Sequence, residues 1–102
     1  MDHLEFNFKV VFYPRHENIV AHCLETDIFA WALTKEKALE VIKRDLCLKL
    51  GLFVNGKTFK TFFKSASHKI INKFHSGKYP TVELVMKVET SISCIKWSNC
   101  KA

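Results

Sequence analysis

A chain of 102 residues that is 48% hydrophobic and 13% aromatic, with three Gly and two Pro, excludes a disordered or fibrous protein and fits one packed domain. No apolar run approaches the roughly 20 residues needed to span a bilayer, and the start Met1-Asp2-His3-Leu4-Glu5 lacks the features of an export signal, so a cytoplasmic protein without membrane contact is expected. The formal charge of +6 is uneven: residues 1–50 hold eight acids against seven Lys and Arg, whereas residues 51–102 hold nine Lys against Glu83 and Glu89.

In the first segment Phe6, Phe8, Val10 and Phe12 alternate with Glu5, Asn7 and Lys9, the period of a strand with one buried face. Pro14-Arg15-His16-Glu17-Asn18 reads as a five-residue turn, and Ile19 to Leu24 resumes extended structure to complete a hairpin. Ile28-Phe29-Ala30-Trp31-Ala32 is expected as a third strand. Thr34 then opens a helix, its hydroxyl accepting from a free first-turn amide while Glu36 favours the positive end of the dipole. Ala38, Leu39, Ile42, Leu46 and Leu50 recur at three- and four-residue steps, with Val41 and Leu48 widening the stripe. Glu40 and Arg44 are spaced for an ion pair, and Gly51 is expected to stop the helix.

Asn55-Gly56 is a hairpin-turn signal. From Phe59 the apolar residues fall at 59, 62, 63, 66, 70 and 74, which predicts a second helix. After Tyr79-Pro80, residues Val82, Leu84, Met86 and Val88 alternate as a fourth main strand. Residues 91–102 read as a tail that Ile95 and Trp97 can dock.

Cys23, Cys47, Cys94 and Cys100 are spaced 24, 47 and 6 apart, which is neither a compact disulfide framework nor the paired-cysteine pattern of structural zinc. Cys23 and Cys47 are expected as buried thiols, and Cys94 and Cys100 as exposed ones.

The run Ile19-Val20-Ala21-His22-Cys23-Leu24-Glu25-Thr26-Asp27-Ile28, followed by Thr34-Lys35-Glu36-Lys37-Ala38-Leu39-Glu40, resembles the HicB-like family of small bacterial proteins. The likeness covers residues 6–50, and residues 81–89 by position and pattern. Where the family has a Gly-Asp turn before the helix threonine this chain has Ala32-Leu33, and Lys37 replaces a capping-box Glu. The resemblance implies a single α+β domain over residues 1–90, ordered β-β-β-α-(α)-β. It would be an antiparallel sheet with a helix on one face, of partial ribonuclease-H-like kind, with a basic helical insertion at 57–78 and a tail at 91–102. It further implies an antitoxin-like protein that binds a small toxin-like protein and acts as a homodimer, here without the family's appended DNA-binding segment.

No catalytic, metal or cofactor residue is expected. Glu5, Glu36 and Glu40 read as solvated carboxylates, His68 and His16 as surface and turn residues, and His22 as a strand-face residue. Glu25, Asp27 and Trp31 are the candidate partner contacts. Lys57, Lys60, Lys64, Lys69, Lys73 and Lys78 are candidate nucleic-acid contacts, because summed positive charge attracts phosphates even where Lys lacks the bidentate geometry for base readout.

Overall fold

The computed structural model describes residues 3–54, 63–89 and 94–101. In chain order the elements are β1 (His3–Arg15), β2 (Asn18–Cys23), β3 (Phe29–Ala32), α1 (Lys35–Val54), α2 (His68–His75), β4 (Thr81–Glu89) and β5 (Cys94–Lys101). The strands form one antiparallel sheet in the order β3-β2-β1-β4-β5. The chain is therefore an α+β domain, with two helices among the described residues packed on an antiparallel sheet.

The period-two pattern of the sequence sets the two faces. Phe6 pairs with Met86, Phe8 with Leu84 and Val10 with Val82, so both strands send their apolar rows to the same side. Phe8, Val10, Leu84 and Met86 are fully enclosed there, together with Ala38, Ile42, Leu46 and Leu50 of α1. Thr34 caps α1 as expected, its Oγ1 accepting from the Lys37 backbone N–H at 3.2 Å. Leu48 departs from the expected stripe and faces solvent. Glu40 meets Lys37 at 3.6 Å.

Gly51 does not stop the helix, which runs on to Val54. A glycine inside a helix costs only about 1 kcal/mol relative to alanine, less than the enclosure of Leu50 and its neighbours supplies. The first hairpin is tighter than expected. Arg15 pairs with Asn18, which leaves His16 and Glu17 as a two-residue connection with His16 at φ 57°. Pro14 is tolerated inside β1 because pairing with β4 ends at Val11, so no ladder bond from its nitrogen is missed on that side.

The second helix is shorter than its periodicity suggested. Residues 63–67 are non-helical, and the Ala66 N–H bonds the Leu24 carbonyl at 2.9 Å. Phe63 stacks on Phe6 at 5.8 Å in the inner core, whereas Ala66 is enclosed with Val11 and Leu24 on the opposite face. This short stretch thus carries the chain from one face of the sheet to the other, and a helix could not serve both. Phe59, Phe62 and the Asn55-Gly56 turn lie outside the described residues.

Residues 94–101 are also not a tail. They pair along β4, with Ile95 opposite Val88 and Trp97 opposite Met86, and with a register shift between Val85 and Met86. No helix among the described residues is long and apolar enough to cross a membrane.

Candidate binding surface

The outer face carries Val11, Tyr13 and Arg15 of β1, Asn18, Val20 and His22 of β2, and Phe29 and Trp31 of β3. This follows from the pairing of Val11 with His22, Tyr13 with Val20, Arg15 with Asn18, His22 with Phe29 and Val20 with Trp31. Helix α2 covers only part of this face. Its Ile70, Ile71 and Phe74 pack with Val11, Leu24 and Ala66, joined by Tyr13 and Tyr79. Among the described residues no helix lies over β2 and β3, and Phe29 and Trp31 stand 43% and 58% exposed there.

Beneath them runs a hydrogen-bonded chain. His22, only 7% exposed, places Nε2 2.7 Å from Asp27 Oδ1 and Nδ1 3.0 Å from the Tyr13 hydroxyl. The Asp27 carboxylate accepts from Nε2–H, and Nδ1 is held by the Tyr13 hydroxyl. Asp27 reaches inward because the β2–β3 turn holds it at φ 58°, a left-handed conformation that Asp tolerates better than most residues. Burial raises the Tyr13 pKa, an effect that Arg15 opposes and Asp27 reinforces. With both ring nitrogens engaged and the ring enclosed, His22 is held in one orientation beneath the surface.

The aromatic side chains form a ladder across three strands. Ring centroids are 6.1 Å apart from Tyr13 to His22, 5.3 Å from His22 to Phe29 and 6.0 Å from Phe29 to Trp31. At its outer end an open groove of about 400 Å³ is lined by Arg15, His16, Asn18, Val20, Phe29 and Trp31. Val20 is buried under these neighbours and forms the floor. An apolar base, two exposed aromatic rings and a cationic rim suit recognition of a partner surface that is itself part apolar and part acidic.

The residues singled out from the sequence separate into three roles. Trp31 belongs to the groove. Asp27 supports it from below through His22. Glu25 faces a different direction, its Oε1 accepting from the Lys9 backbone N–H at 2.8 Å and its Oε2 lying 3.5 Å from Lys9 Nζ. Glu25 therefore ties the turn to β1.

Among the lysines, Lys64, Lys69 and Lys78 are exposed. Lys73 is drawn inward, with its ammonium 5.3 Å and 4.8 Å from the Tyr13 and Tyr79 ring centroids, so it joins α2 to the sheet by cation–π attraction. Lys57 and Lys60 lie outside the described residues.

Among the described residues no three His, Cys, Asp or Glu side chains gather as a metal site. Cys23 is buried and Cys47 partly buried. Arg15, Asn18, Val20, Tyr13 and Phe29 were not recognisable as a site from the sequence. The only available signal was that Phe29, Trp31 and Leu33 alternate with the small Ala30 and Ala32, which puts three large apolar side chains on one side of a short strand.

The chain matches no protein family model, no curated protein and no solved structure.

Proposed function

We propose that this chain is a non-catalytic, HicB-like binding protein of antitoxin type, a cytoplasmic homodimer that engages a small protein partner through the open face over β2 and β3. The observation that carries this reading is the exposed Phe29–Trp31 pair beside Arg15. Trp and Arg dominate the energetics of protein interfaces, and residues that anchor a partner sit over well-packed, preorganised floors such as Val20 and the His22 chain provide. The signature at residues 19–42 suggests what kind of partner is involved. Co-expression with the product of any small open reading frame found beside its gene tests it. The two proteins are expected to co-purify, and Trp31→Ala is expected to weaken the complex at least tenfold, about 1.4 kcal/mol. Recovery of this chain alone, or undiminished capture by Trp31→Ala, would remove the reading.

A second reading, nucleic-acid binding, is favoured by one specific observation. The stretch 63–82 contains no Asp or Glu, and it presents Lys64, His68, Lys69, His75 and Lys78 to solvent. Oligonucleotide affinity measured by anisotropy should then fall with added salt, by a log–log slope of about 0.7–0.9 for each phosphate neutralised. A Lys64→Glu/Lys69→Glu variant should have a shallower slope. An absence of binding at low ionic strength would end this alternative.

A further inference from the structure

We infer that a second copy of this chain pairs antiparallel with the free edge of β3, about a two-fold axis, so that two sheets become one and two Phe29–Trp31 platforms merge on one face. The inference rests on the reading of that face as a binding surface and identifies the interface of the homodimer.

Among the described residues strand β3 ends the sheet, since β2 lies on one side of it and no described strand lies on the other. Edge strands of soluble proteins are ordinarily blunted by a lysine, a proline, an inward charge or a bulge, because their unpaired N–H and C=O groups otherwise recruit another strand. Phe29-Ala30-Trp31-Ala32 is short, at four residues, but carries none of these. Instead it carries a row of exposed apolar side chains on one side, Phe29 at 43%, Trp31 at 58% and the adjoining Leu33 at 76%. Their exposure is costly for an isolated chain, and pairing the edge with a strand of matching parity lessens it by setting these side chains beside those of the second copy.

The ends of β3 favour a second copy as the occupant. The chain enters the strand from Glu25 and Asp27, which outnumber the Lys9 paired with Glu25, and it leaves into Lys35 and Lys37 beside the Arg15–His16 turn, where these cations exceed the nearby Glu17 and Glu36. Antiparallel pairing about a two-fold axis sets the acidic end of each copy against the cationic end of the other. It is an isologous contact that closes at two chains and does not propagate. Residues directly opposite in an antiparallel pair share a face, so parity lets Phe29 stand opposite Trp31 of the second copy while the small Ala30 and Ala32 stay on the helix side. The groove above Val20 then continues across the two-fold axis, which doubles the platform offered to a partner.

Light scattering after size exclusion and sedimentation velocity test the inference on the wild-type chain, Trp31→Lys and Phe29→Pro. The wild type is expected at twice the 11.9 kDa of one chain. Trp31→Lys, at an exposed position, should keep the wild-type circular dichroism and run as a monomer. Phe29→Pro removes an N–H that points away from β2 to the free edge, should likewise be monomeric, and serves as an independent check on edge pairing. A monomeric wild type at the highest concentration reached, or a folded Trp31→Lys that remains dimeric, would overturn the inference. A monomer that still captures the neighbouring gene product defeats the dimer and leaves the binding reading intact, whereas a dimer that captures nothing does the reverse.

Discussion

Phe8→Ala is expected to lower the unfolding free energy by about 3–5 kcal/mol, the largest loss from any substitution considered. Phe8 is fully enclosed on the inner face, opposite Leu84 and stacked on Phe6 with ring centroids 6.2 Å apart. Truncation removes both the transfer free energy of the ring and the contacts of its neighbours. β1 is the central strand of the sheet, so the surroundings cannot close over the gap without shifting β2 and β4 together. A domain of this size has roughly 5–15 kcal/mol in total, so the variant should sit near the limit of folding at ambient temperature. Urea titration followed by circular dichroism measures the shift, and Leu48→Ala on the solvent face is the matched control, expected within about 0.5 kcal/mol of wild type. A loss below about 1 kcal/mol for Phe8→Ala would mean that the ring is not enclosed by α1 and β4.

The second large effect is a fall in stability at alkaline pH that depends on Cys23. Burial pushes this thiol from 9.0 up to about 11, with a hydrogen bond from Thr26 opposing the shift and the nearby Glu25 carboxylate adding to it. The folded state therefore keeps its proton more tightly than the unfolded chain does. Below pH 9 both states are protonated and the full stability is present. As the pH rises from 9 towards 11 the unfolded chain releases the proton first and is favoured, and the stability lost approaches about 2–3 kcal/mol. Tyr13, also raised by burial, acts in the same direction. Cys23→Ala removes the thiol and leaves the other titrations in place. The gap between the wild-type and variant stabilities should be constant below pH 9 and shrink steadily above it. Two parallel curves from pH 8 to 11 would refute the assignment. The same burial makes Cys23 slow to react with thiol reagents in the folded state.

These two effects differ in how far the sequence could foretell them. The enclosure of Phe8 follows from the alternation in Glu5–Phe12 and Val82–Val88, because side chains two apart on a strand share a face, and from the three- and four-residue spacing of Ala38, Ile42, Leu46 and Leu50. Such patterns are local, so they survive without knowledge of the fold. The order of the first three strands, α1 and β4 is legible for the same reason. The two-residue hairpin at His16 and the passage of Gly51 inside α1 were not, since each was decided by neighbouring packing that outweighed a modest local preference.

The candidate surface lies at the other extreme. Trp31 could be suspected from its size and position, and Asp27 from its place in the turn. The Tyr13–His22–Asp27 chain, however, joins residues on two strands and a turn, and it depends on the register that sets Val11 opposite His22. A shift of one residue would send His22 into the core and Cys23 to the surface.

The sequence by itself determined which side of each main strand is apolar and where α1 begins, because side-chain period and capping chemistry act within a few residues. Only the tertiary structure decided that residues 63–67 cross from one face of the sheet to the other, that residues 94–101 extend it, and that α2 stops short of Phe29 and Trp31. Those outcomes depend on which distant backbone groups and apolar surfaces are left to be satisfied once the sheet has formed.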